Sequence, residues 1–211
     1  MLDRVVMGFM IFLVSVMGFV YLAEEVVEGD TLPFDQWVLT AVNGTASGWQ
    51  DSLWSVVTQL GGFVAVPILT VFVAFVLIRK KRIRDAIVML AGVGGAAVVN
   101  VVLKLVFERV RPDLWEQLVV ETSYSFPSGH AMASCALAAS FVLIMWGSRW
   151  RYTVLAAGVL YVGLIGYSRL YLGVHYPTDV LAGWVISIAW ILLISAIAKV
   201  WWFSKNQRRA R

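Results

Sequence analysis

An all-α membrane protein with six transmembrane helices is the fold class that this sequence predicts. Three observations lead to it: 60% of the residues are hydrophobic, only 14% are charged, and long apolar runs recur along the chain. A soluble domain of this size needs far more charge to cover its surface. Apolar runs of about 18 or more residues are typical of membrane-spanning helices, and the alternating segments of a transmembrane barrel are absent.

Six apolar segments approach the roughly 20 residues that a helix needs to cross the hydrocarbon core. They lie at 5–23, 54–78, 86–107, 130–147, 152–168 and 180–203. The first is interpreted as an uncleaved span, because Tyr21 is too bulky for the cleavage site that Ala23 would otherwise suit. No repeat or low-complexity segment divides the chain, so residues 1–211 are predicted to form a single membrane domain.

The distribution of charge predicts the orientation of these spans. The loop "RKKRIRD", the loop that contains Arg149 and Arg151, and the two termini together hold all but four of the 17 Lys and Arg residues. Because cytoplasmic loops are rich in Lys and Arg, both termini are predicted to be cytoplasmic. Contact with anionic lipid headgroups explains the net charge of +4, and no nucleic-acid partner is expected.

The outer loop between the first two spans contains the segment "PFDQWVLTAVNG". Its apolar residues follow a helical spacing and are Phe34, Trp37, Val38, Ala41 and Val42. Pro33 suits the first turn of a helix. The segment therefore predicts a short helix in the outer membrane interface, and the alternative is a partly buried loop that packs on the bundle.

Four basic residues lie on the outer side, where few are expected, and both histidines lie there too. The residues are Lys104, Arg109, Arg111, Arg169, His130 and His175. Ionisable groups at membrane depth cost several kcal/mol unless they are paired or line a wet site. A single such residue is explained equally well by a long side chain that reaches the interface. Three loops that bring similar chemistry to one side instead predict a functional site.

Three cations in this set favour a multiply charged anion. Lys104 and Arg111 are seven residues apart, so they share a face if the helix continues that far. Arg169 is the third cation. In "PSGH", Ser128 supplies a hydroxyl, Gly129 allows a close backbone approach, and the start of a helix offers free N–H groups to an anion.

The two histidines supply groups that can move a proton or attack an electrophile. His130 follows directly after the predicted anion site. His175 precedes Pro177, which favours a helix start, and Asp179 in the first turn can then reach back to a ring nitrogen of His175. Cations around two such imidazoles predict phosphoryl transfer, with one histidine as nucleophile and the other as the acid for the leaving oxygen.

Three motifs, "KLVFERVRP", "PSGH" and "SRLYLGVHYPTD", occur in this order over residues 104–179. Together they resemble the three-part signature of the type 2 phosphatidic acid phosphatases, and the plan of six spans extends the resemblance to nearly the whole chain. The resemblance implies phosphate-ester hydrolysis that needs no metal and no cofactor.

The resemblance also implies a role for each matching residue. His175 would form a phosphohistidine, Asp179 would orient it, and His130 would protonate the leaving alcohol and later activate water. The phosphoryl oxygens would be held by Lys104, Arg111, Ser128, the Gly129 amide and Arg169. Arg109 lies outside the signature and is interpreted as a flanking charge, with contact to a second phosphate or a lipid headgroup as the alternative.

The substrate expected from this location is a lipid whose phosphate reaches the extracytoplasmic face of the cell membrane while its tail stays in the bilayer. In bacterial members of the family the substrates include phosphatidylglycerol phosphate and undecaprenyl diphosphate, and phosphatidate is a further candidate. A lipid phosphotransferase and a phospholipid-binding or transport protein without turnover remain alternatives. A zinc or haem site at the two histidines is disfavoured, because the neighbouring cations would repel a metal ion.

Overall fold

The computed structural model of the protein describes residues 2–119 and 121–209, with side chains between residues 6 and 199 apart from residue 120. All regular structure in that part of the chain is helical. The helices are α1 (Leu2–Glu28), α2 (Leu32–Asn43), α3 (Gly48–Gln59), α4 (Ala65–Arg79), α5 (Ile83–Phe107), α6 (Gly129–Met145), α7 (Arg151–Tyr171) and α8 (Pro177–Arg209). Some basic residues used for the predicted orientation lie outside the described side chains, namely Arg4, Lys205, Arg208, Arg209 and Arg211.

Four helices are long and apolar enough to cross a membrane: Val6–Glu28, Ile83–Phe107, Arg151–Tyr171 and Pro177–Lys199. The helices α4 and α6 are also apolar but have only 15 and 17 residues. Large apolar side chains cover the outside of the bundle, as at Met17 and Phe72, which are 71% and 61% exposed. A surface of this kind is stable against lipid and not against water, so the protein is a multi-pass membrane protein.

The prediction of one continuous helix over 54–78 is wrong, because residues 60–64 separate α3 from α4. Gly61 and Gly62 lie in this break, and glycine lowers the stability of a helix by about 1 kcal/mol relative to alanine. Pro67 lies in the first turn of α4, where its missing N–H has no consequence. The break leaves α4 shorter than the roughly 20 residues of a full span.

The break also brings the chain close to two other helices. A Cβ atom on Gly61 would collide with the side chain of Ile165 on α7. A Cβ atom on Gly62 would lie 3.4 Å from Nε2 of His130 on α6. The hydroxyl of Tyr161 donates to the carbonyl oxygen of Leu60 at 2.8 Å. The end of α3 is therefore fixed beside the start of α6.

The short helix predicted after the first span is present as α2. Phe34 and Trp37 face away from the bundle and are 50% and 69% exposed. The opposite side of α2 is buried, with Asp35 and Leu39 completely covered. A buried aspartate on a short surface helix needs a partner, and this partner lies among the site residues.

The core lies between α4, α5, α6 and α8, and consists of Val66, Met89, Val93, Ala96, Met132, Ala136, Leu137 and Ile191. The helix α1 packs along α8, and its Phe19 ring stacks on Phe126 with 5.9 Å between the ring centroids. This packing brings the C-terminal ends of α5 and α7 together with the N-terminal ends of α6 and α8. All the candidate functional residues lie at that end of the bundle.

Candidate active site

Lys104 and Arg111 converge, although not in the way that their spacing predicts. The helix α5 ends at Phe107, and Glu108 has a left-handed φ of 46°. The shared helix face was predicted only if the helix continued to Arg111, and this condition is not met, because Arg111 lies in the loop beyond the helix. The loop folds back, so that Nζ of Lys104 and Nη2 of Arg111 both donate to Oγ of Ser123, at 3.0 and 3.2 Å.

The "PSGH" segment forms the start of α6. The helix begins at Gly129 with Ser128 as its N-cap, so Pro127 precedes the helix and does not occupy its first turn. Oγ of Ser128 accepts from the backbone N–H of Ala131 at 3.5 Å. The backbone N–H of Ser128 donates to the carbonyl oxygen of Asp179 at 3.0 Å and thus joins the starts of α6 and α8.

Asn100 on α5 supports this segment and was missed by the sequence analysis. Its buried side-chain amide donates to the carbonyl oxygen of Pro127 at 2.9 Å. A Cβ atom on Gly129 would lie 3.0 Å from Oδ1 of Asn100, which is closer than ordinary van der Waals contact. A larger residue at position 129 would therefore have to displace the Asn100 side chain. An amide inside an otherwise apolar helix was the signal that could have identified Asn100.

His175 and Asp179 form the contact that their spacing predicts. His175 lies in the loop between α7 and α8 and is only 1% exposed. Its Nδ1 atom is 3.3 Å from Oδ2 of Asp179, which lies in the first turn of α8. The other ring nitrogen, Nε2, is 3.2 Å from Nη1 of Arg111. With the proton on Nδ1 facing the carboxylate, Nε2 presents a lone pair to the cations.

The environment of His175 favours the neutral form of its imidazole. Burial lowers the pKa of its imidazole well below the ordinary value of 6.5, and the charges of Arg111, Arg169 and Lys104 lower it further. A neutral imidazole oriented by a carboxylate can act as a nucleophile or as a base.

The carboxylate of Asp179 is held by further groups. The hydroxyl of Ser125 donates to Oδ2 and lies 3.4 Å from Nδ1 of His175. The backbone N–H of Tyr176 donates to Oδ2 at 2.8 Å. Nη1 of Arg109 donates to Oδ1 at 2.6 Å. Ser125 was not identified from the sequence, since a serine in a polar loop gives no signal there.

The interpretation of Arg109 as a flanking charge is wrong. Its side chain is only 10% exposed, and its guanidinium forms ion pairs with Asp179 and with Asp35 of α2 at 2.6 and 2.8 Å. Arg109 is thus the partner of the buried Asp35 on α2.

Arg169 is almost completely buried, at 1% exposure. Nη1 donates to Oγ1 of Thr58 at 2.7 Å, and Nη2 donates to the carboxylate of Glu121. The second oxygen of Glu121 lies 3.7 Å from Nη2 of Arg111. No acceptor in residues 6–119 or 121–199 reaches Nε of Arg169. A buried guanidinium therefore keeps one unfilled donor.

Glu121 is a site residue that the sequence analysis missed, because several acidic residues lie in the same loop. Burial alone would raise the pKa of its carboxyl, but the charges of Arg169 and Arg111 outweigh burial and lower the pKa below the ordinary value. Glu121 is therefore an anion bound between two of the three predicted phosphate-binding cations.

His130 is the second residue of α6 and is partly exposed. Its ring meets Phe63 edge to face, with 5.7 Å between the centroids. It lies within electrostatic range of Arg169, Lys104 and Arg111. Among the described residues no hydrogen bond to its ring nitrogens is found, and Nε2 lies beside Gly62. The structure thus brings all eight predicted site residues to one end of the bundle.

A cavity of about 660 Å³ opens between the end of α5 and the loop that precedes α6. Its polar wall includes Lys104, Arg109, Arg111 and Glu121, and its apolar wall includes Val101, Leu105 and Val110. A ligand in this cavity would meet both a cationic and an apolar surface.

Comparison with known proteins identifies a family and several related phosphatases. Residues 84–203 match the family described as the PAP2 superfamily. Phosphatidylglycerophosphatase B of Bacillus subtilis is 36% identical over 152 residues, which cover 69% of this chain and 74% of the relative. Undecaprenyl-diphosphatase of Sulfolobus acidocaldarius is 33% identical over 127 residues, which cover 58% of this chain and 59% of that protein.

The fold also matches a solved structure. The crystal structure of a transmembrane PAP2-type phosphatidylglycerolphosphate phosphatase from Bacillus subtilis aligns with a TM-score of 0.82 and 27% identity. The alignment covers 89% of this chain and 96% of that one.

Proposed function

The chain belongs to the PAP2 superfamily and is a membrane-embedded phosphatase, and on this basis we propose that it hydrolyses a lipid phosphate through a phosphohistidine intermediate. The geometry of His175 carries the proposal. Nδ1 faces Asp179 at 3.3 Å, and Nε2 faces the cations, 3.2 Å from Arg111. This orientation supports an attack by Nε2 on a phosphorus atom bound there.

In the first step, Nε2 of His175 forms a bond to phosphorus while the bond between phosphorus and the lipid oxygen breaks. Protonated His130 gives its proton to that oxygen, so a lipid monophosphate leaves as an alcohol and a lipid diphosphate leaves as the lipid monophosphate. Asp179 accepts the Nδ1–H of His175 and stabilises the positive charge that develops on the ring, as the carboxylate of a catalytic triad does.

In the second step, water attacks the phosphohistidine and gives a proton to His130, which is now neutral. The bond between Nε2 and phosphorus breaks, orthophosphate leaves, and both histidines return to their starting states. If an alcohol replaces water, the same step makes the protein a lipid phosphotransferase. Measuring orthophosphate together with phosphorylated acceptor separates the two outcomes.

Lys104, Arg111 and Arg169 would hold the phosphoryl oxygens, with help from Ser128 and the Gly129 amide. The unfilled Nε donor of buried Arg169 supports this assignment, because a donor without an acceptor favours an anionic ligand. The carboxylate of Glu121 between Arg169 and Arg111 supports it further, since that position already accommodates an anion. Loss of one such donor typically lowers kcat by roughly 10²–10³-fold.

The substrate class proposed is a lipid phosphate such as phosphatidylglycerol phosphate, undecaprenyl diphosphate or phosphatidate. The cavity with one cationic and one apolar wall supports a substrate of mixed character. The names of the relatives from Bacillus subtilis and Sulfolobus acidocaldarius support the first two candidates.

We place the site on the extracytoplasmic side of the cell membrane, with six crossings by α1, α4, α5, α6, α7 and α8 and both termini in the cytoplasm. The basic loop between α4 and α5 supports this orientation. Packing of α1 along α8 supports a single domain over residues 1–211, because the first and last helices belong to one bundle.

The test uses the full-length protein in detergent with a panel of the three lipid phosphates named above. We expect His175→Ala to lose orthophosphate release from every lipid, while Arg79→Gln, at the exposed C-terminal end of α4, keeps it. Wild-type protein quenched during turnover should carry acid-labile, base-stable phosphate, and His175→Ala should carry none. Full activity of folded His175→Ala would overturn the proposal. A chelator should leave the activity unchanged.

A further inference from the structure

Two fully buried carboxylates share the guanidinium of Arg109. Nη1 of Arg109 donates to Oδ1 of Asp179 at 2.6 Å and to Oγ1 of Thr178 at 2.8 Å. Nη2 donates to Oδ2 of Asp35 at 2.8 Å and to Oγ1 of Thr31 at 3.3 Å. Both aspartates are 0% exposed, so neither carboxylate depends on water for its hydrogen bonds.

Asp35 is itself fixed to the start of α8. Its Oδ1 atom accepts the backbone N–H of Thr178 at 3.1 Å, and Oδ2 accepts the Thr178 hydroxyl at 2.7 Å. The guanidinium of Arg109 lies over the ring of Tyr176, 4.2 Å from its centroid. A planar guanidinium held by stacking and by two carboxylates has a single orientation. Arg109 is therefore a rigid connection between α2 and Asp179.

The contact with Arg109 affects His175 because the two oxygens of the Asp179 carboxylate have different partners. Oδ2 faces Nδ1 of His175, and Oδ1 is held by Arg109. Without the contact at Oδ1, the carboxylate loses the group that fixes its rotation and balances its charge. A buried carboxylate that lacks a partner is strongly destabilised.

The same contacts argue against the two roles that the sequence left open for Arg109. A flanking charge would be exposed, whereas this side chain is 10% exposed. A contact of the terminal nitrogens to a second phosphate or a headgroup would need a free N–H, and all four N–H groups of these nitrogens donate to oxygens of the protein, although the side chain also lines the cavity.

We infer that Arg109, held by Asp35 of α2, is a positioning residue that fixes the carboxylate of Asp179 against His175, and that its terminal nitrogens do not bind the substrate. The inference rests on the proposed phosphohistidine mechanism. It assigns to the short helix α2 a direct effect on the chemical step, transmitted through Asp35, Arg109 and Asp179 in turn.

The test compares Arg109→Gln, Arg109→Lys and Asp35→Asn with Arg111→Gln and with the exposed control Arg79→Gln. The probes are phosphatidate, undecaprenyl diphosphate and inorganic phosphate as inhibitor. For Arg109→Gln we expect kcat to fall about 100-fold, as small misplacements in active sites do. KM and inhibition by inorganic phosphate should stay near the wild-type values, whereas Arg111→Gln should weaken both.

Two further results are expected of a positioning residue. The loss in kcat should be equal for the monophosphate and the diphosphate lipid. Arg109→Lys should recover part of the rate, because a lysine can still balance the charge of Asp179. Asp35→Asn should show the same pattern with a smaller loss, because its amide oxygen still accepts hydrogen bonds from Thr178 and Arg109.

Three outcomes would overturn the inference. A rise in KM confined to undecaprenyl diphosphate would make Arg109 a contact to a second phosphate. Unchanged kinetics in Arg109→Gln would make it a flanking charge. Arg109→Gln and the milder Asp35→Asn could instead lose kcat, phosphate affinity and thermal stability to the same extent. The contacts between Asp35, Arg109 and Asp179 would then only stabilise the fold. Failure of the proposed mechanism is seen separately, as a wild-type protein that traps no phosphohistidine.

Discussion

Nη1 of Arg111 lies 3.2 Å from Nε2 of His175, so a permanent cation touches the ring nitrogen proposed to attack phosphorus. A protonated His175 would place two positive charges in contact, which disfavours the imidazolium. The neutral ring instead accepts a hydrogen bond from Arg111. A phosphoryl group that binds between them would take this donor and release the lone pair of Nε2. Arg111 therefore affects both the binding of phosphate and the protonation of the nucleophile.

The pH dependence of activity should report this contact. Burial and then the charges of Arg111, Arg169 and Lys104 lower the pKa of His175 well below 6.5, so the reactive neutral ring persists into acidic solution. Removing a cation raises this pKa, and the neutral form then requires a higher pH. We expect Arg111→Gln to move the acidic limb of kcat/KM to higher pH, in addition to lowering its maximum.

The measurement is kcat/KM against pH for wild type, Arg111→Gln and the exposed control Arg79→Gln with one lipid. Ionisation of the substrate is then common to all three profiles. An acidic limb that stays in place or moves to lower pH in Arg111→Gln would contradict the assignment of His175 as the titrating nucleophile.

Glu121→Gln should strengthen phosphate binding. The carboxylate of Glu121 binds Arg169 and lies 3.7 Å from Arg111, so a phosphoryl group must displace it. The neutral amide competes less, and we expect inhibition by inorganic phosphate to become roughly tenfold tighter, about 1.4 kcal/mol. The matched control is Glu116→Gln, an exposed carboxylate of the same loop.

The tighter phosphate binding expected for Glu121→Gln should also depend on pH. The pKa of Glu121 lies below its ordinary value, so the carboxylate is charged until the solution is distinctly acidic. As the pH falls through that pKa, the wild-type carboxyl becomes neutral and the two proteins should bind phosphate equally. Weaker phosphate binding by Glu121→Gln at neutral pH would show that Glu121 supports the cations instead of competing for them.

Gly129→Ala should destabilise the protein and reduce its activity. The new Cβ atom would lie 3.0 Å from Oδ1 of Asn100, which must move and weaken its hydrogen bond to Pro127. Overpacking of this kind costs about 1–3 kcal/mol. Gly94→Ala is the control, since no described atom of another element lies within 4 Å of its added Cβ. Thermal unfolding in detergent should distinguish the two, and equal midpoints would contradict the packing account.

Cysteine labelling tests the proposed orientation. Cys135 is the only cysteine of the sequence and is buried, so Cys135→Ser provides a background without a reactive thiol. In that background, Asn43→Cys at the end of α2 should react with an impermeant maleimide in intact cells. Lys80→Cys, between α4 and α5, should react only after permeabilisation. The reverse pattern would place the site in the cytoplasm.

The parts of the site that could be predicted from the sequence are those set by local spacing. His175 and Asp179 are four residues apart across a helix start, and the "PSGH" segment opens a helix. In both cases the side chains are placed by the geometry of one helix turn. Most helical segments could also be predicted locally, because the length of an apolar run indicates the length of the helix.

The other contacts of the site join residues that are far apart in the sequence, and the spacing of residues within one helix cannot predict them. Asp35 and Thr178 are 143 positions apart, and nothing around Asp35 indicates that it is buried. The seven-residue spacing of Lys104 and Arg111 suggested one helix face, whereas a left-handed Glu108 ends the helix and the loop folds back. The break at Gly61 and Gly62 was missed because the apolar run continues through it.

The hydrogen bond from the backbone N–H of Ser128 to the carbonyl oxygen of Asp179 has a mechanical consequence. It couples the helix that carries His130 to the helix that carries Asp179, and the close approach of Gly183 to Ser128 tightens the same junction. The acid and the orienting carboxylate are thus joined through the backbone of their own helices, so a change that separates α6 from α8 would alter both catalytic groups at once.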